Sequence, residues 1–135
     1  MPYIPLGLRG ERGAVTTQLV LVVPAVLLLM MMIVQFALAW HAQHIAQYTA
    51  DRALAAARVK GATAANGEDQ AGTSLAQLGG RVLTSPSVTV RRTTDQVTVT
   101  VRGAVMPVVP GLDLHVVGVA SGAVERLTTP QGGMP

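Results

Sequence analysis

The residues of this chain that could perform chemistry lie in two small groups. His41 and His44 are three positions apart, a spacing that places both imidazoles on one face of a helix and could bind a metal ion. No acidic residue or cysteine lies close to them in the sequence. We therefore interpret the two histidines as polar residues at the end of an apolar helix, and we predict no metal and no cofactor.

The second group lies near the C-terminal end. Asp113 and His115 are two positions apart, which places them on one face of a strand, and Ser121 follows. A hydrolytic site needs a nucleophile, a base and an orienting acid. Neither a nucleophile elbow nor a glycine-rich phosphate loop accompanies these residues, so we predict no catalytic residues and no enzymatic activity.

One long stretch of the sequence excludes charge. No Asp, Glu, Lys or Arg lies between Arg12 and Asp51, and all ten Lys and Arg residues lie outside that stretch. The segment Leu19–Trp40 would span about 33 Å as a helix, against a hydrocarbon core of about 30 Å. Its Leu, Ile, Val and Phe residues favour insertion by about 4 to 8 kcal/mol in total. We predict one transmembrane helix, with its span at residues 19–40 in contact with the lipid of the cytoplasmic membrane.

The charges upstream of the span predict its orientation. Arg9 and Arg12 precede it, and the positive-inside rule assigns such a short basic segment to the cytoplasm. We therefore predict that residues 1–13 form a flexible cytoplasmic leader and that the C-terminal part is extracytoplasmic. The net charge of +3 and the low aromatic content give no basis for nucleic-acid binding.

A long helix is predicted for residues 14–60, because Pro24 is the one helix breaker between Ala14 and Gly61. Beyond Trp40 the helix is rich in alanine. Small and apolar residues recur there at helical spacing and define an alanine stripe: Ala42, Ile45, Ala46, Thr49, Ala53, Ala56 and Ala57.

Residues 61–127 are predicted to form a small extracytoplasmic α+β domain, and residues 128–135 a disordered tail. After Pro86 valine alternates with polar residues, which is typical of a sheet with one buried face. The predicted elements are a helix at Glu68–Leu78 and strands at Ser87–Arg92, Gln96–Arg102 and within Leu112–Leu127. The fold class is thus α+β: a long transmembrane helix with an amphipathic extension, followed by a three-stranded antiparallel sheet whose valine face packs on the alanine stripe.

Over nearly its whole length, the chain resembles the TadE-like family of minor pilins, or pseudopilins, of tight-adherence type IV pilus systems. The resemblance lies in Arg12-Gly13, in the following Ala-Val-Thr-Thr-Gln, in the apolar helix with Pro24 near its start, and in valine-alternating strands that close with residues 120–123. It implies a structural function, with other pilin-like subunits and the pilus assembly machinery as partners.

The resemblance also implies processing by a prepilin-type peptidase. Such enzymes cut after a glycine at the cytoplasmic edge of the helix, which corresponds to cleavage between Gly13 and Ala14. The fifth residue of the mature chain is usually Glu in pilins, but here it is Gln18. A glutamine can accept a hydrogen bond from a neighbouring subunit's N-terminal amine but brings no charge.

Five residues are predicted to act in assembly. Gln18 and Pro24 lie in the motif-bearing part of the helix, while Ala46, Ala53 and Ala57 lie in the alanine stripe, where small side chains let another backbone come close. The sequence leaves two alternatives open. The chain could be a membrane-anchored extracytoplasmic binding module outside any fibre, or signal peptidase could cut after Ala37-Leu38-Ala39 and release a soluble product.

Overall fold

The computed structural model describes residues 8–126, with side chains from Gly13 onward. Residues 1–7 of the leader predicted to be flexible over residues 1–13, and the tail predicted to be disordered at residues 128–135, lie outside the described residues. The elements are helix α1 (Leu8–Ala57), helix α2 (Ala64–Ser74) with a π-helical extension (Leu75–Gly79), and strands β1 (Leu83–Arg92), β2 (Gln96–Val105) and β3 (His115–Ala123). This arrangement confirms the predicted α+β fold.

Helix α1 begins earlier than predicted, at Leu8 instead of Ala14, and continues through Pro24. An existing helix extends by one hydrogen bond per residue without a new nucleation step, so the glycines at positions 10 and 13 are tolerated. The helix ends at Ala57, three residues before the predicted Lys60. There the guanidinium group of Arg92 donates to the carbonyl of Ala57 and, at 3.3 Å, to that of Val59, which satisfies carbonyls at the helix end.

Helix α2 also begins earlier than predicted, at Ala64 instead of Glu68. The side-chain oxygen of Asn66 accepts hydrogen bonds from the Thr63 amide (2.7 Å) and from the Thr63 hydroxyl (3.0 Å), an arrangement related to a capping box. This local cap starts the helix four residues before the predicted Glu68.

The sheet has the order β1-β2-β3 with both pairs antiparallel. The predicted turn between the first two strands is present, and the Thr93 amide donates to the Gln96 carbonyl at 2.8 Å. Strand β1 begins four residues before the predicted Ser87, because the longer β2 supplies partners back to Leu83. Pro86 lies at a register irregularity on this edge strand, where its missing amide is tolerated.

The core is a single layer between α1 and the sheet. The side chains of Val97, Val99 and Val101 on the central strand are completely buried. They belong to one cluster with the alanine stripe, of which Ala42, Ala46, Ala53 and Ala57 are also fully buried. The predicted packing of the valine face on the alanine stripe is therefore present, and the hydrophobic residues of this core are all aliphatic.

Strand β3 comes very close to α1 at Gly118. A Cβ atom built on Gly118 would lie 2.3 Å from the Ala46 carbonyl oxygen and 2.6 Å from the Gln47 amide nitrogen. Both atoms belong to the helix backbone, so neither can move away by a change of rotamer. Glycine is thus required at this position for the strand to lie on the helix.

We expect Gly118→Ala to lower the free energy of unfolding of the sheet domain by about 1–3 kcal/mol, since the added methyl group overpacks a rigid contact. The measurement is the urea midpoint of the full chain in detergent micelles, followed by pulse proteolysis. Gly72→Ala is the matched control, because a Cβ atom there meets nothing within 4 Å; it should leave the midpoint unchanged or raise it slightly. Equal midpoints for the two variants would contradict the close-contact account.

Candidate functional site

The N-terminal half of α1 is an apolar rod that its own domain leaves uncovered. From Gly13 to Met30 every residue is exposed. The helix from Gly13 to Ala57 contains a window of mean hydropathy 2.8, of which only 6% is buried. By length and composition it can cross a membrane, and its apolar surface is available on all sides.

This rod carries the residues predicted for processing, Gly13 and Ala14, and two of those predicted for assembly, Gln18 and Pro24. Gly13 and Ala14 are exposed, and a side chain added at Gly13 would meet nothing within 4 Å. Gln18 is also exposed and lies beside Val15 and Leu19 in a shallow, mainly apolar recess. These three residues are therefore accessible to an enzyme or to a neighbouring chain, while Pro24 lies further along the same exposed surface.

The three alanines predicted for assembly lie in a different environment. Ala46, Ala53 and Ala57 have no exposed surface, because the sheet and α2 of the same chain cover them. The stripe was correctly recognised as a close-packing face, but the backbone that approaches it is that of Gly118 and of Gly67. The predicted role in assembly stays a prediction, and through these residues it would act indirectly, by way of the chain's own fold.

Two glutamines of α1 bind the outer edge of the sheet. The side-chain amide of Gln43 donates to the Val117 carbonyl (2.8 Å) and accepts from the Val117 amide (3.3 Å). Gln47, one turn later, makes the same pair of bonds to Val119, at 3.0 and 3.3 Å. Each amide thus occupies the place of a neighbouring strand residue, and together they close the edge of β3, which would otherwise offer unpaired backbone groups.

A third glutamine binds a loop. Gln35 is completely buried, although it lies inside the segment predicted to span the membrane. Its side-chain oxygen accepts from the amides of Val108 (2.6 Å) and Val109 (3.2 Å), and its amide nitrogen donates to the Met106 carbonyl at 3.3 Å. The connection between β2 and β3 is therefore fixed to the helix at this level.

The opposite side of the helix carries exposed aromatic residues, which we call the aromatic face: Phe36, Trp40 and Tyr48. Trp40 is 72% exposed, and its ring meets that of His44 edge-on at 5.3 Å. The Arg52 guanidinium lies over the Tyr48 ring and donates to its hydroxyl at 2.8 Å. These contacts hold large side chains on a surface that the sheet does not cover.

The residues considered for chemistry do not converge on a site. His41, His44, Asp113, His115 and Ser121 are all exposed. Within residues 8–126 no group of three or more His, Cys, Asp or Glu residues is placed to hold a metal ion. The geometry gives these five residues no common function.

Sequence reasoning missed Gln35, Gln43, Gln47 and Gly118 as the residues that connect helix and domain. A polar residue inside an apolar run was a usable signal for Gln35, and the four-residue spacing was one for the other two glutamines. Gly118 interrupts a run of valines, which can mark a close backbone approach.

Comparison with known proteins adds one finding. A family model described as TadE-like protein matches residues 13–55, which cover the uncovered rod and most of the alanine stripe. No curated protein and no solved structure matches the chain. The match confirms the resemblance to the TadE-like family over the helix. It indicates a pilus-associated, pilin-like protein with an N-terminal membrane helix.

We expect the double variant Gln43→Met, Gln47→Met to lose roughly 1–3 kcal/mol of domain stability, because four modest hydrogen bonds to β3 and one exposed bond to Asp51 disappear while side-chain length is kept. It should also self-associate more readily through the opened edge of β3. Urea midpoints and light scattering of the full chain in detergent measure the two effects. Gln77→Met, on an exposed glutamine of the π-helical turn, is the control and should change neither; the same result for the double variant would show that the edge needs no closure.

Proposed function

We propose that this chain, whose long helix carries the TadE-like match, is a pilin-like subunit or assembly component of a tight-adherence type IV pilus or a related secretion apparatus. The observation that supports this best is the division of α1 into two parts. Residues 13–30 are exposed and residues 19–30 are apolar on every side, while the part from Gln35 to Ala57 carries a folded domain on one side. A subunit held in a membrane by one helix, with a domain docked directly on its continuation, has this form.

The protein acts without catalysis in this proposal, by packing its helix against neighbouring helices. The sheet covers the alanine stripe, so the aromatic face is the side of this part of the helix that remains exposed. The chain has one Trp, two Tyr and one Phe, and three of these four lie on this face. Aromatic residues dominate the binding energy of protein interfaces, which favours the aromatic face as the contact with a second subunit.

The residue at position 18 determines how directional that packing is. A pilin-type Glu could form an ion pair with a neighbouring N-terminal amine, whereas Gln18 offers a neutral hydrogen bond worth on the order of 0.6 kcal/mol in lipid. Lateral packing therefore depends mainly on shape and apolar contact. The proposed orientation has the N-terminus in the cytoplasm and the sheet domain outside, as the basic residues before the span favour.

Processing is the first test. We expect the mature chain to begin at Ala14, and Gly13→Leu to prevent cleavage, because the peptidase pocket must admit a residue without a side chain. The measurement is the intact mass of the protein purified from membranes of cells that contain a prepilin-type peptidase. Gly72→Leu, at another helical glycine with open space around it, is the control and should be processed normally.

Two other measured masses would contradict these expectations. A full-length mass for both the unsubstituted chain and Gly13→Leu would contradict processing at this position. A mature chain that begins at Trp40 would mean cleavage after Ala37-Leu38-Ala39, which removes the anchor and with it the proposed function.

Lateral contact is the second test. We expect a photo-crosslinking amino acid at Tyr48 to capture a second pilin-like subunit in membranes, because Tyr48 lies on the uncovered face. The same crosslinker at Thr98, on the outer side of the sheet, is the control and should not capture one. Gln18→Leu should lower the Tyr48 yield by less than about threefold, given a bond of roughly 0.6 kcal/mol. Capture from Thr98 but not from Tyr48 would favour the anchored binding module over the pilin-like subunit.

A further inference from the structure

The connection between β2 and β3 is unusually apolar for an exposed loop. It runs from Met106 to Leu114 and is closed by a hydrogen bond from the Val105 amide to the Leu114 carbonyl (2.8 Å). No charged residue lies between Arg102 and Asp113. We call residues 106–112, Met-Pro-Val-Val-Pro-Gly-Leu, the proximal loop. Met106 is 44% exposed, and the valines and Leu112 are half-buried. Surface loops usually consist of polar residues, so the composition of the proximal loop is unusual for a loop in contact with water.

The position of the proximal loop along the helix is fixed by Gln35. The three hydrogen bonds between its side chain and the loop backbone place the loop where the uncovered apolar rod ends. The helix rises about 33 Å from Gly13 to Gln35, which matches a hydrocarbon core of about 30 Å. If the span begins just after Arg12, the loop lies at the outer surface of the membrane.

The span predicted from hydropathy alone, residues 19–40, conflicts with these contacts. It would place Gln35 about 8 Å inside the hydrocarbon, with the proximal loop beside it. Irregular backbone exposed to lipid is not tolerated at that depth, because its polar groups have no water to bind. A span at residues 14–34 removes the conflict. It also places Arg12 at the cytoplasmic edge and Trp40 about 8 Å above Gln35, in the headgroup region that tryptophan prefers.

We infer that the proximal loop is a lipid-contacting element that docks on the outer surface of the same membrane, with residues 14–34 as the span. The inference rests on the proposed membrane anchoring and adds a second point of attachment. Its binding partner is the phospholipid interface, because the loop lies directly beside the outer end of the span. Because the loop carries no charge, its contact is apolar and should depend little on salt or on anionic lipid.

Attachment by both the helix and the loop limits the orientation of the domain more than attachment by the helix alone. A helix alone leaves the domain free to tilt with the helix in any direction. The loop touches the bilayer on the sheet side of the helix, so the aromatic face is directed sideways along the membrane. That is the direction from which a second membrane-held subunit would approach.

The chain has no cysteine, so one introduced cysteine carries the only label. The full chain is reconstituted in phosphatidylcholine vesicles with an environment-sensitive fluorophore at Met106→Cys, Thr94→Cys or Ala25→Cys. Lipid-borne quenchers are placed near the headgroup or near the bilayer centre. We expect blue-shifted emission from position 106 that the headgroup quencher reduces most, and emission from position 25 that the central quencher reduces most. Position 94, in the distal turn between β1 and β2, should be quenched by neither.

The quenching results distinguish a failure of the inferred loop contact from a failure of the proposed membrane anchoring. If position 25 is quenched while position 106 behaves like position 94, the loop does not bind lipid and the inference is overturned, although the anchor survives. If position 25 is not quenched, the proposed anchoring itself fails. Gln35→Leu should weaken headgroup quenching at position 106, while Gln77→Leu should not. Unchanged quenching in Gln35→Leu would refute the role of Gln35 in holding the loop at the surface.

Discussion

The close approach of one helix to one sheet is the constraint on which the rest of this structure depends. The domain is small, contains no disulfide, and buries aliphatic side chains in a single layer, so it has little apolar area with which to stabilise itself. Alanines on the helix and Gly118 on the sheet bring the two backbones nearly into contact. Close backbone packing thus takes the place of large buried side chains. Because six of the fifteen buried residues of the hydrophobic core lie on α1, the helix and the domain form one folding unit.

Tight packing alone would leave the outer edge of β3 and the β2–β3 connection without polar partners. Glutamine side chains satisfy both, since a primary amide carries one acceptor and two donors and can pair with a backbone as another backbone would. Gln43 and Gln47 are one turn apart and match alternate strand residues, Val117 and Val119, whose polar groups point to the same edge. Gln35 does the same for a loop. The register of β3 along α1 and the position of the β2–β3 loop along α1 are thereby fixed together.

The sequence predicted the features that arise from local pattern. The charge-free apolar run, the alanine stripe at helical spacing and the valine alternation in β1 and β2 each identify an element and its buried face. The start of α1 was missed because an established helix extends through glycines that would not nucleate one. The partner of the alanine stripe and the roles of Gln35 and Gly118 required knowing which strand lies on which helical turn. That register joins residues more than seventy positions apart, and no local pattern contains it.

The same geometry limits how such a helix can meet its neighbours. Where the domain is docked, one side of the helix is covered, so only the aromatic face remains for another chain. Within residues 13–30 no side is covered, and contacts can form around the whole circumference. A neighbouring helix would thus meet a directional surface outside the membrane and a nearly uniform apolar surface within it. In the proposed assembly, Gln18 lacks the charge that would orient contacts in lipid. Specificity would then come from the outer segment, where shape and aromatic rings would distinguish one partner from another.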